Sequence, residues 1–141
     1  MKSFLLKEKT PIVKWSLVPD NIFFEGKVPD GYQLAICPSE NYIILDIDRH
    51  GEIDGFDNIP FCIEVELEKT LNYSTKNNGK HYWLKYTGDK FLRNKASGLG
   101  FDLRTNRGYV VWYLEGDVRS HLYEIKETSN KLNEFLELHF S

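Results

Sequence analysis

The sequence predicts an α+β fold: one compact domain, residues 1–141, with a mixed or antiparallel sheet of short strands and a few helices, the last of them amphipathic. Three observations predict it. Short apolar runs of β-branched and aromatic residues recur along the chain, each bounded by Gly, Pro or Asn. One pair of runs is joined by an Asn-Gly turn, the strongest short-range signal for a hairpin. The final dozen residues carry an apolar stripe at helical spacing. A chain of 141 residues buries a core without disulfides or metals, and an aromatic share of 14% suits a sheet-rich protein.

Residues 1 to 40 carry Pro11, Pro19, Pro29, Gly31 and Pro38, which leave room only for short elements. Lys14-Trp15-Ser16 reads as a packed lead-in segment, and Tyr32 to Cys37 as a strand neighbouring the run that follows. That run, Tyr42 to Asp48, is the most informative in the chain. It is apolar and ends in two carboxylates one residue apart, so in a strand Asp46 and Asp48 project to the same face with Cα atoms about 6.6 Å apart. Two such carboxylates repel unless a cation lies between them, which points to a divalent-metal site; a strand-end turn with two solvated acids is the plainer alternative. Asp46, Asp48 and Gly51 also match positions 1, 3 and 6 of an EF-hand loop, but His50 and Asp57 stand where ligands of that motif belong, and a strand precedes it. Residues 49 to 58 therefore read as a polar loop.

Residues 60 to 70 are open between two readings: Pro60 suits the first position of a helix, whereas Ile63, Val65 and Leu67 alternate with glutamates as in a half-exposed strand. Leu71 to Thr75 and His81 to Tyr86 form a hairpin around Asn78-Gly79, with His81 opening the second strand. A lone His is more often a packed structural residue than a ligand; here Gly79 and Lys80 precede it, a setting in which backbone N–H groups and a cation can converge on phosphate, which brings the ligand reading level with the structural one. Gly100 to Arg104 and Gly108 to Leu114 read as a second hairpin-like pair around Thr105-Asn106-Arg107. Asp102 in that pair points away from Phe101 and Leu103, to solvent or to a cation. Ser120 to Lys126 reads as one more strand. Ser129 is an N-cap candidate for a closing helix with Leu132, Phe135, Leu136 and Phe140 on its apolar face.

The net charge of −3 disfavours a simple nucleic-acid-coating protein. Its distribution is uneven: between Lys76 and Arg107 eight Lys or Arg stand against two acids, a window of +6 that leaves −9 for the rest. One phosphate-facing surface and a set of solvated loop charges are both compatible with this. Cys37 and Cys62 have neither zinc-ligand nor disulfide-framework spacing and read as buried apolar positions. No stretch of about 18 apolar residues occurs, and Phe4-Leu5-Leu6 is too short for a signal-peptide core, so the expectation is a soluble cytoplasmic protein without a membrane partner.

Three segments in order resemble the primase-polymerase (Prim-Pol) domain of the archaeo-eukaryotic primase superfamily, of the phage and plasmid replication type. They are Ile44-Leu45-Asp46-Ile47-Asp48-Arg49-His50-Gly51; Thr75-Lys76-Asn77-Asn78-Gly79-Lys80-His81-Tyr82-Trp83; and Gly100-Phe101-Asp102-Leu103-Arg104 with Gly108-Tyr109-Val110-Val111. The sequence departs from the family pattern at Asn78, where a second Gly is usual, and at Trp112-Tyr113-Leu114, where Pro-Pro-Ser often follows. The resemblance implies a helix at 60 to 70 and a DNA primase or polymerase activity, adding nucleotides to a nucleic-acid 3'-hydroxyl with two Mg or Mn ions. Asp46, Asp48 and Asp102 would hold the metals; His81, Lys80 and the backbone of Gly79 would hold the triphosphate; Arg104 and Arg107 would touch nucleotide or template. The implied partners are nucleoside triphosphates, single-stranded or primed DNA, and a separate helicase or replication protein, in the host cytoplasm if the chain is viral. Two other readings remain in view: a non-catalytic replication accessory of the same fold, and a metal-dependent nuclease that uses the same acids with water as nucleophile.

Overall fold

In the computed structural model, which describes residues 1–141 apart from the side chain of His50, short strands alternate with turns along most of the chain. In order they are β1 (Lys2–Lys7), β2 (Thr10–Pro11), β3 (Tyr32–Cys37), β4 (Tyr42–Ile47), β5 (Arg49–His50) and β6 (Ile53–Asp54). Helix α1 (Phe61–Leu67) follows, then β7 (Asn72–Ser74), β8 (Lys80–Lys85), β9 (Lys95–Ala96), β10 (Phe101–Arg104), β11 (Val110–Val111), β12 (Lys126–Glu127) and helix α2 (Asn130–Phe140). One antiparallel sheet has the order β11-β3-β1-β2. The larger has the order β12-β8-β4-β10-β9, with β7 also on β8 and β12 as its parallel member. The α+β class expected from the sequence is the class observed. No helix among the described residues is long and apolar enough to cross a membrane.

The pleat of β4 explains how the layers meet. Ile43, Leu45 and Ile47 point to one face and pack with Tyr82, Leu84, Phe101 and Leu103 against Ile63 and Leu67 of α1 and Leu132, Phe135, Leu136 and Phe140 of α2. Each of these large side chains contributes about 1.5–3 kcal/mol through burial. Ile44 points to the other face, where with Trp83 it meets Ile36 and Val110 of the smaller sheet. Asp46 follows Ile44 on that second face. Here the two sheets part and leave a cleft.

Helix α1 starts after Pro60, one position later than a Pro at its first residue would place it, and α2 is capped as expected, Ser129 Oγ accepting from the Leu132 N–H. Several expectations are overturned. β3 and β4 are not sheet neighbours: β1, a strand the sequence reading did not assign, has five buried residues out of six and takes the place beside β3, while β4 lies between β8 and β10. The segments at 100 to 114 do not form a hairpin either. β10 pairs with β4 and β9, β11 with β3, so the turn at 105 to 108 carries the chain from one sheet to the other.

Residues 118 to 124 form 3-10 turns in place of a strand, because Asp117 caps them by accepting from the Ser120 N–H, and only Lys126–Glu127 joins the sheet. The expected loop at 49 to 58 is a small β5–β6 hairpin and a 3-10 turn in which Asp54 Oδ1 accepts from the Phe56 N–H at 2.9 Å. Cys37 is buried, but Cys62 is exposed, since α1 buries only the Ile63 and Leu67 side of its short length.

Candidate metal centre

Strand register builds the site. Asp46 on β4 is the direct partner of Asp102 on β10 and, across its other edge, of His81 on β8; His81 in turn is opposite Tyr73 on β7. Directly opposed side chains share a face, so Tyr73, His81, Asp46 and Asp102 form one row across four strands. Asp48 stands one pleat beyond Asp46. Its N–H donates to Gly100 O at 2.8 Å and its carbonyl accepts from the Gly55 N–H at 2.8 Å, which ties the end of β4 to the approach of β10.

Asp46, Asp48 and Asp102, all half-buried, offer ligand oxygens within 4.8 Å of one another. The donor set is all carboxylate, the chemistry that hard divalent cations such as Mg or Mn take. A second observation fits the same ion: Asp46 Oδ1 is buried and has no hydrogen bond. His81 Nε2 lies 3.4 Å from it, in ion-pair range but not aligned as a hydrogen bond. Such an atom loses its hydration on folding and has only the unaligned imidazole in return, so a cation or a substrate proton reaching it would be favoured. Arg104 donates to Asp102 Oδ2 at 3.4 Å and offsets part of the triad's charge.

His81 is buried, 5% exposed, with the ring of Tyr73 edge-on at 5.3 Å and that of Tyr113 at 6.1 Å. It is packed among aromatic rings and also lines the cleft, so both descriptions left open by the sequence apply to it. Its Nδ1 is 3.2 Å from Tyr73 Oη, which also accepts from Trp83 Nε1 at 3.0 Å and donates to Val111 O at 3.4 Å. Burial pushes the Tyr73 phenol well above its ordinary pKa, so the hydroxyl keeps its proton. The phenol has one proton: given to Val111 O, it leaves Oη to accept from His81 Nδ1–H, and given to Nδ1, it leaves the ring proton of neutral His81 on Nε2, toward Asp46. Tyr73→Phe should therefore cost about 1–3 kcal/mol, because the buried Trp83 N–H loses its acceptor. Urea denaturation checks this; an unchanged midpoint would mean that Trp83 finds another acceptor.

The cleft encloses about 330 Å³ and is lined on one side by Asp46, Asp48, His81 and Arg104 with Thr75, Lys76 and Asn77 of the β7–β8 turn. Leu6, Lys9, Tyr109 and Tyr113 line the other side. Burial and the nearby Asp46 charge raise the pKa of the Tyr113 phenol, which thus stays a neutral donor.

Not every candidate converges here. Lys80 alternates with His81 and points to the opposite face, where its Nζ meets Glu68 Oε2 at 3.0 Å. Gly79 is absent from the cleft wall. It is glycine because a Cβ there would come within 2.4 Å of Ile47 O and 2.9 Å of Thr75 Oγ1, so the turn can sit against the end of β4 only without a side chain. Arg107 lies outside, with Arg93 in a separate depression. The basic window is thus divided, Lys76 and Arg104 in the cleft and the others elsewhere.

The chain matches no protein-family model and no curated protein. The site therefore rests on its own geometry. Tyr73, Tyr113, Lys9 and Lys76 are members the sequence reading did not single out. Lys9 and Tyr113 come from segments remote from the acidic motif, and their local sequence carries no signal of it. Tyr73 was legible only as the hairpin partner of His81 two residues before Thr75.

Proposed function

We propose that the protein is a metal-dependent nucleotidyltransferase of the primase-polymerase type, adding nucleotides to the 3'-hydroxyl of a nucleic-acid strand. The observation that carries this reading is the cluster of Asp46, Asp48 and Asp102, of which Asp46 and Asp48 line a cleft together with His81, Lys76 and Arg104. The order of the three motifs, similar to that of the Prim-Pol domain, supports the same reading.

Asp46, Asp48 and Asp102 would hold Mg or Mn. With two such ions these residues would supply charge neutralisation at the triphosphate and a lower pKa for the attacking hydroxyl. The chain's own groups do the rest. Lys76 and Arg104 bring positive charge to the phosphates, and His81, its Nδ1 held by Tyr73, is positioned with Nε2 beside Asp46. Tyr113 narrows the opposite wall. The 3'-oxygen bonds to the α-phosphorus, the bond to the β-phosphate oxygen breaks, and pyrophosphate leaves with the hydroxyl proton lost to water. The partners of this reading are nucleoside triphosphates, single-stranded or primed DNA, and a separate helicase or replication protein.

Incubation with labelled primer-template, Mg or Mn and dNTPs tests the reading. Extension that disappears with EDTA is the expected result. An unchanged primer would leave the accessory reading in its place, and a shortened primer the nuclease.

A further inference from the structure

We propose that the depression lined by Phe91, Arg93, Asn94 and Arg107 is a second site that binds a single-stranded nucleic-acid segment, with Phe91 stacking on a base and the two arginines on backbone phosphates. The inference rests on the nucleotidyltransferase reading for the nature of the strand, but its binding chemistry needs no metal and no turnover. The chain contains five arginines. Arg49 pairs with Asp54, Arg104 with Asp102, and Arg119 with Glu25 and Asp117, whereas Arg93 and Arg107 have no carboxylate partner among the described residues. The two arginines left unpaired in an acidic protein thus share one depression, of about 360 Å³. Residues 90 to 107 hold five Lys or Arg against the single acid Asp102, which belongs to the carboxylate cluster.

The aromatic component distinguishes a nucleic acid from a merely acidic ligand. Phe91 is 68% exposed, and the Arg107 guanidinium lies 5.8 Å from its ring centroid. An exposed ring beside a guanidinium is a stacking platform for a base with phosphate contacts at its rim. The platform is held in place. Asn94 Oδ1 accepts from the Thr105 N–H at 2.9 Å, and the Arg93 N–H donates to Phe140 O at 2.8 Å, so both arginine-bearing segments are pinned to the core and to each other.

Location ties the patch to the cleft. Arg107 sits in the turn whose two flanks, Arg104 and Tyr109, both line the metal cleft. Three residues span at most about 11 Å, so Arg107 lies within that distance of the cleft wall at Arg104.

The test is fluorescence anisotropy of a labelled single-stranded oligo-dT in EDTA, with wild type, Phe91→Ala and the Arg93→Gln/Arg107→Gln double variant. All three side chains are exposed, so melting temperatures should stay unchanged. Phe91→Ala should weaken binding about tenfold. The double variant should weaken it by at least about tenfold and flatten the log-log salt slope by about 1.4, two phosphates at about 0.7 each. Equal affinity for all three proteins overturns the proposal. So does a normal affinity of Phe91→Ala together with displacement of the oligonucleotide by polyglutamate, which would make the patch a site for acidic peptide. Primer extension separates this inference from the reading above. Oligonucleotide binding through these residues without extension keeps the site and removes the polymerase; extension with binding indifferent to these residues does the reverse.

Discussion

Asp46→Asn should lower metal-dependent primer extension by at least about 10²- to 10³-fold while leaving the metal-free protein as stable as wild type or slightly more so. The two halves of this expectation have one cause. Three carboxylates with oxygens within 4.8 Å repel one another in the absence of a cation, and one of them, Asp46, has its Oδ1 buried without a hydrogen bond. Neutralising it removes a repulsion and disturbs no hydrogen bond at Oδ1, and it gives up only the unaligned 3.4 Å contact with His81 Nε2. A gain of about 1 kcal/mol would raise the melting temperature by roughly 3–6 °C for a chain of this size. Wild type should in addition be stabilised by Mn, by about 2.7 kcal/mol at a hundred times Kd, and the variant far less. Thermal melts with and without Mn read both effects. A variant that melts lower than wild type in EDTA, yet gains as much from Mn, would show that Asp46 is a structural residue and no ligand.

Gly55→Ala should be the most damaging small substitution near the site, costing about 1–3 kcal/mol or more and abolishing the Mn-induced rise in melting temperature. A Cβ on Gly55 would come within 2.1 Å of Gly100 O and 2.7 Å of Gly100 C, both backbone atoms that cannot rotate aside. The same two glycines hold Asp48 by its N–H and its carbonyl, and Gly100 leads directly into β10 and Asp102. Any shift that relieves the clash must move the chain carrying two of the three acids. Metal affinity should therefore fall along with stability, whereas an ordinary packing defect would lower stability alone. Melting curves with and without Mn distinguish them: a destabilised variant whose Mn-induced shift is intact would mean that the Gly55–Gly100 contact supports the fold without positioning the ligands.

The sequence by itself determined the features that depend on neighbours along the chain. The period-2 geometry of Tyr42 to Ile47 sets Asp46 on the face opposite Leu45 and Ile47. Asn78-Gly79 brings β7 back along β8, and Ser129 starts a helix whose stripe is buried as its spacing requires. Strand pleat, turn chemistry and capping act within a few residues, so they can be read locally. Tertiary structure alone decided which strands lie side by side. Backbone N–H and C=O groups are the same in every strand, so pairing is selected by total burial. That selection put the five buried residues of β1 beside β3, split the segments at 100 to 114 between two sheets, and set Asp102 and His81 on either side of Asp46. The direction of Lys80 shows the same limit: one residue from His81, it faces the other side of the sheet, and its nearest opposite charge, Glu68, was brought there by the packing of α1.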